Sequence, residues 1–154
     1  MIKCIRTDSS NTDFIALVKM LDAELTERDG SEHTFYAQYN KINTIKNTVM
    51  AYIENAPAGC GAFKHFENGV VEIKRMFTLP GMRKKGIAAA VLKELELWAA
   101  ELGYEKCLLE TGLKQPEAIA LYERSGYNKI PNFGQYTGIE NSVCFEKYLR
   151  LLPF

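Results

Sequence analysis

Arg83-Lys84-Lys85-Gly86-Ile87-Ala88 is the stretch from which the rest of this chain can be read. An apolar, strand-like run precedes it, Val70-Val71-Glu72-Ile73-Lys74-Arg75-Met76-Phe77, and a helical pattern follows from Gly86 to about Leu102. A strand, a short basic turn with a glycine, and a helix start suit an anion. The first N–H groups of a helix have no partner within it, and the helix dipole favours negative charge there. The three basic side chains add Coulombic attraction, and Gly86 lets the backbone approach a ligand with no Cβ in the way. The same residues also read as a plain strand-to-helix turn with a solvated basic loop, so the decision rests on the rest of the chain.

At 154 residues the chain is expected to fold as one domain, residues 1–154. A chain of this size buries on the order of 70% of its unfolded surface. Nineteen basic and nineteen acidic residues cancel, which leaves no global field to draw in nucleic acid or an anionic membrane. Any anion site must be local. No apolar run approaches the roughly 20 residues of a membrane span. Met1-Ile2-Lys3-Cys4-Ile5-Arg6-Thr7-Asp8 lacks the apolar core of a signal peptide. The expectation is a cytoplasmic protein. Cys4, Cys60, Cys107 and Cys144 are widely spaced in apolar or strand-like runs and read as buried free thiols. His33 and His65 show no spacing that ties them to a cysteine, so neither a thiol nucleophile nor a metal site is expected.

In chain order, residues 2–7 read as a strand, and Asn11 or Thr12 caps a helix to about Arg28 with Phe14, Leu17, Val18, Leu21 and Leu25 on one face. Residues 31–46 read as a short helix and loop. Thr48–Glu54 and Ala58–Phe66 form a hairpin about a turn at Asn55-Ala56-Pro57, and Glu67-Asn68-Gly69 leads into the strand at 70–78. The helix at 86–102 sets Ile87, Val91, Leu95 and Leu102 on one stripe, with Gly103 as its cap. A buried strand follows at 105–110. Gln115-Pro116 opens a helix to about Ser125, and strands at 127–130 and 143–149 close the chain around an aromatic loop, Pro131 to Tyr136. This order predicts an α+β, or mixed α/β, sheet.

With those elements placed, the sequence resembles the GNAT family of acyl-CoA-dependent N-acetyltransferases. The family's phosphate loop reads Arg/Gln-x-x-Gly-x-Gly/Ala, and here Arg83, Gly86 and Ala88 fall on it. One strand later the family carries Asn-x-x-Ala-x-x-x-Tyr followed by a glycine and an aromatic, matched by Gln115, Ala118, Tyr122, Gly126 and Tyr127. The resemblance covers about residues 48–149. It implies a central, mostly antiparallel sheet with a splayed middle strand pair and about four flanking helices. It also implies acetyl-CoA as co-substrate, its diphosphate held by backbone N–H groups of Arg83, Lys84, Lys85, Gly86, Ile87, Ala88 and Ala89. The pantetheine arm would bond backbone groups at Met76 and Thr78 and pass Gln115, Ala118 and Tyr122. Two positions depart from the pattern. Lys84 stands where a further glycine is common, which matters only if that residue needs a positive φ. Gln115 replaces asparagine with the same amide one methylene longer.

Amine attack on a thioester needs a neutral amine, a polarised carbonyl and a proton for the leaving sulfur. By the resemblance, a backbone N–H near Met76 stabilises the oxyanion. Tyr122 delivers the proton, its phenol titrating near 10; the alternative is a tyrosine that only packs the last helix on the sheet. Glu72, eleven positions before Arg83 (83 − 72 = 11), is the candidate base, against a surface carboxylate paired with Lys74 or Arg75. Glu110 is a second candidate, and acidic residues here would suit a cationic amine. Tyr136 and Phe35, with Phe133 and Gln135, could line the acceptor pocket. The reading is direct acetyl transfer to a small amine in a ternary complex. The alternatives are an acyl-CoA-binding regulatory module without turnover and a generic nucleotide-binding α/β domain. An edge strand near 143–149 could pair two copies into a homodimer.

Overall fold

The computed structural model describes residues 1–29 and 45–149. Along the chain these form β1 (Ile2–Thr7), α1 (Thr12–Asp29), β2 (Asn47–Ile53), β3 (Ala56–Glu67), β4 (Val70–Thr78), α2 (Ile87–Glu101), β5 (Lys106–Gly112), α3 (Pro116–Arg124), β6 (Asn128–Ile130) and β7 (Ser142–Tyr148). The strands make one sheet in the order β1-β2-β3-β4-β5-β7-β6. β4 and β5 run parallel and the other five pairs antiparallel. The mixed α+β class and the mostly antiparallel sheet are therefore as the sequence predicts. Three α-helices are seen among the described residues against about four expected; the stretch 31–46, where a short helix is expected, lies mostly outside those residues.

Strand alternation sends side chains to two cores. Phe14, Leu17, Val18 and Leu21 of α1 pack on Met50, Cys60, Ala62 and Phe77 from one sheet face. On the other face Ile87, Val91, Leu92, Leu95 and Ala99 of α2 pack on Val49, Ala51, Phe63, Val71 and Ile73, with Tyr122 of α3 in the same cluster. Asn11 starts α1 by accepting a hydrogen bond from the Phe14 N–H at 3.0 Å. Gly103, at φ 93°, ends α2, and the Tyr104 N–H returns to the Ala99 carbonyl at 3.0 Å.

Three local expectations are corrected. The β2–β3 turn sits on Glu54-Asn55, both at positive φ, as a two-residue hairpin loop of that hand requires. Pro57 consequently lies inside β3, next to a register shift opposite Tyr52. Leu102 caps α2 and is 55% exposed, outside the apolar stripe. The strand at 142–148 is not an edge: β5 and β6 flank it, and the free edges belong to β1 and β6.

Candidate active site

β4 and β5 pair only from Val70↔Lys106 to Ile73↔Leu109. Beyond Leu109, β5 stays with β7 through Glu110, Thr111 and Gly112, while β4 stays with β3 as far as Thr78. Arg75 marks the divergence. It takes φ 60°, and between the pairs Cys60↔Phe77 and Ala62↔Lys74 one residue of β3, Gly61, faces two of β4. Such a bulge bends its strand and inverts the alternation beyond it. Ile73 accordingly faces α2 whereas Phe77 faces α1. The gap holds a cavity of about 110 Å³. Lys74, Arg75 and Met76 wall one side, Glu110, Thr111 and Gly112 the other. Gln115 with Ala118 and Tyr122 of α3, Leu21 and Leu25 of α1, and Tyr136 complete the lining. The expected splayed pair is present.

The backbone of β4 is polar toward this gap. The Leu79 N–H donates to the Ala58 carbonyl and Thr78 stands opposite Gly59. Alternation therefore turns the N–H and C=O of Thr78, and likewise of Met76, away from β3 to the open side. The Thr78 carbonyl accepts a hydrogen bond from Arg83 Nε at 3.0 Å. Arg83 Nη2 meets both oxygens of Glu24 at 2.8 and 3.1 Å, so this guanidinium ties the loop to α1. Lys84, Lys85 and Gly86 are exposed at the start of α2, whose first turn carries no acidic residue. Gly86 takes φ 82°, and a Cβ there would meet nothing within 4 Å. Lys84 takes φ 65°. The condition under which a glycine would matter at that place is thus met, and Lys84 bears the strain of the left-handed conformation, of order 1 kcal/mol.

Glu72, expected as base or surface carboxylate, is neither at the surface nor in the cavity lining; it is 1% exposed, one layer behind. Tyr136 Oη donates to Glu72 Oε2 at 2.8 Å, and Lys74 Nζ donates to the same oxygen at 3.1 Å and to Tyr136 Oη at 3.2 Å. Burial pushes the Lys74 ammonium below its ordinary range, against the pull of Glu72. Burial, with the charges of Glu72 and Glu110, pushes the Tyr136 phenol well up. Glu110 accepts a hydrogen bond from Ser142 Oγ at 2.7 Å. Tyr122 is 6% exposed, its ring against Tyr127 and Phe145. Its hydroxyl makes no hydrogen bond among the described residues. Burial, then the Glu110 charge, hold that phenol above its usual value.

The structure thus brings together Met76, Glu110, Gln115, Ala118, Tyr122 and Tyr136 around one cavity. Phe35 lies outside the described residues. Phe133 packs edge-on against Phe66 and Tyr136 rather than lining the cavity. Lys74 and Arg75 were legible only as ion-pair partners for Glu72; two cations inside an apolar run were the signal that they do more. Burial raises the thiols of Cys60 and Cys107 to about 12 and that of Cys144 to about 11, so these three are protonated at neutral pH. Among the described residues no cluster of three His, Cys, Asp or Glu side chains could hold a metal, and no helix is long and apolar enough to cross a membrane.

Comparison with known proteins agrees with this geometry. The acetyltransferase (GNAT) family profile matches residues 14–127. An "IAA acetyltransferase" of Azospirillum brasilense is 39% identical over 102 residues, 66% of this chain and 67% of that protein. A Klebsiella pneumoniae structure assigned as an acyl-CoA N-acyltransferase superposes with a TM-score of 0.82 at 30% identity, over 97% of this chain and 99% of that one. A GNAT acetyltransferase from Elizabethkingia anophelis, solved with acetyl-CoA bound, shares the fold at a TM-score of 0.70 and 20% identity, over 96% of this chain and 98% of that one.

Proposed function

The chain belongs to the acetyltransferase (GNAT) family, and from that premise we propose that it moves the acetyl group of acetyl-CoA to the primary amine of a small molecule, directly and within a ternary complex. The observation that carries this is the gap between β4 and β5, lined by Tyr122, whose hydroxyl has no partner among the described residues, and by Tyr136, which is bonded to Glu72. The residues present suit the co-substrate. Exposed N–H groups at the start of α2, left-handed at Lys84 and Gly86, suit the diphosphate. The outward backbone groups of Met76 and Thr78 suit the amides of the pantetheine arm.

The acceptor enters from the α1 side as an ammonium and gives up one proton. Tyr136 Oη takes it while passing its own to Glu72 Oε2, so Glu72 serves as base through the hydroxyl in front of it. The neutral nitrogen attacks the thioester carbon; a C–N bond forms and the carbonyl electrons move to oxygen, where the Met76 N–H stabilises them. The C–S bond then breaks and Tyr122 protonates the departing sulfur. The second amine proton passes from the new amide nitrogen to the Tyr122 phenolate, and Glu72 returns its proton through Tyr136 to solvent; overall ammonium and thioester give amide, thiol and one released proton. The test is thiol release from acetyl-CoA across a panel of small amines. Amine-dependent release supports the proposal; binding of acetyl-CoA with no release on any amine overturns it.

A further inference from the structure

We propose that Arg75 is an anchor for the acceptor and that the amine substrate also carries a carboxylate, as a free amino acid does. The substrate class rests on the transferase reading above; the carboxylate site does not.

Arg75 and Lys74 are adjacent cations on the wall of the same cavity, and they are treated differently. The Lys74 side chain is 2% exposed and compensated by Glu72 and Tyr136. The Arg75 side chain is 6% exposed, yet its single hydrogen-bonding partner among the described residues is Asp22, whose own side chain is 41% exposed. That contact, Nη1 to Oδ1 at 3.0 Å, uses one of five donors. Nε is buried with no partner among the described residues. A guanidinium cannot shed its charge, and burying it under-paired is costly. It is moreover held there from a backbone at φ 60°, a conformation that a long side chain adopts only at a cost. A side chain forced into the wall of a cavity with donors to spare lacks an acceptor that comes with the ligand.

The shape of that acceptor follows from the donor. A planar carboxylate meets a guanidinium edge with two parallel hydrogen bonds. Leu21 and Leu25 line the same cavity as Arg75 and suit an apolar remainder, and a cavity of about 110 Å³ admits a small molecule. Across the gap Glu110, on β5, supplies the negative charge. The cleft is therefore dipolar and complements a molecule with ammonium at one end and carboxylate at the other. A simple amine would satisfy only half of it.

The test is calorimetric titration of the CoA-loaded protein with free L-amino acids, each beside its decarboxylated amine, with inorganic phosphate as a competitor. At least one amino acid should bind about tenfold to a hundredfold more tightly than its decarboxylated partner. Arg75→Gln should remove that preference while acetyl-CoA affinity stays within about twofold. Asp22→Asn removes a competing carboxylate and should tighten amino-acid binding by about twofold to fivefold. This second variant keeps the test decisive if Arg75→Gln does not fold, since an Asp22–Arg75 pair of purely structural value would give weaker binding or none. Equal binding of acid and amine, no binding by any amino acid, or stronger competition by phosphate than by carboxylates would overturn the anchor. Amino-acid binding that depends on Arg75 without any thiol release would leave the anchor standing and refute the transferase reading.

Discussion

Core packing and the proposed proton delivery meet in one side chain, Tyr122. Its ring lies in the cluster beneath α2 and α3, while its hydroxyl borders the cavity and has no protein partner among the described residues. Burial and the Glu110 charge keep the phenol protonated at neutral pH. Tyr122→Phe keeps the packing and removes the proton. It should lower kcat by about 10²–10⁴-fold while acetyl-CoA affinity and melting temperature barely move. Undiminished thiol release by the variant would leave Tyr122 a packing residue. At Lys84 the strain is local and relievable. Lys84→Gly should stabilise the protein by up to about 1 kcal/mol in chemical denaturation, because glycine takes a positive φ without steric penalty; lower stability would mean that the extra freedom of the unfolded glycine outweighs the strain. Tyr122 and the loop were legible in the sequence through their spacing. Arg75 was not, since nothing about an arginine between Lys74 and Met76 announces a left-handed backbone.

The site depends on one irregular strand and on the neighbour that accommodates it. By doubling up against Gly61, the bulge of β4 turns the Met76 side chain to the α2 face, where only a glycine leaves room. A Cβ at Gly61 would stand 2.5 Å from Met76 Sδ and 2.9 Å from both Leu95 Cδ1 and Val91 Cγ1. Gly59 makes the same allowance nearer the loop, its added Cβ falling 2.7 Å from Ile87 Cγ2 at the start of α2. Gly61→Ala should therefore cost about 1–3 kcal/mol as an overpacked core and should also weaken acetyl-CoA binding, because Met76 cannot give way without moving the cavity wall. A loss of stability with unchanged acetyl-CoA affinity would show that the helix yields instead of the strand. Strand existence was legible here because apolar alternation reports it directly. The bulge was not, because it is a property of two strands at once; its sign was the pair Gly59 and Gly61 in the facing strand, where glycine often marks close backbone approach. The hairpin turn was misplaced by the same kind of reasoning, since Pro57 looked like a breaker but occupies the beginning of β3.

At the scale of the molecule, the order of elements was legible because two motifs fix the middle of the sheet and hydrophobic periodicity fixes what flanks them. The sheet position of the strand at 142–148 was not, since pairing order depends on a crossover that no local pattern encodes. The finished fold also has a consequence that no single element carries. It buries many weak acids in neutral form: Cys60 and Cys107, raised to about 12 by burial, Cys144, raised to about 11 by the same cause, and the phenols of Tyr122, Tyr127 and Tyr136, all raised chiefly by burial. For each, the folded state keeps a proton that the unfolded chain releases, at roughly pH 8.5 for thiols and 10 for phenols. Their contribution to stability is complete below those unfolded values and is lost as pH rises toward the folded ones. Lys74 runs the other way, since burial lowers its folded value and the unfolded chain holds the extra proton, but it is one group against several. Stability should therefore fall from about pH 9, each extra proton held by the folded state contributing about 1.4 kcal/mol per pH unit, and more steeply above pH 10 as the phenols join. Melting temperature measured under reducing conditions from pH 7 to 10.5 reads this directly. Replacing Cys60 and Cys107 by alanine should make the fall between pH 9 and 10 shallower, leaving the share of Cys144, even though the cavities lower the plateau. A flat profile to pH 10, or a slope unchanged by the double replacement, would mean that these thiols reach solvent and ionise in the folded protein.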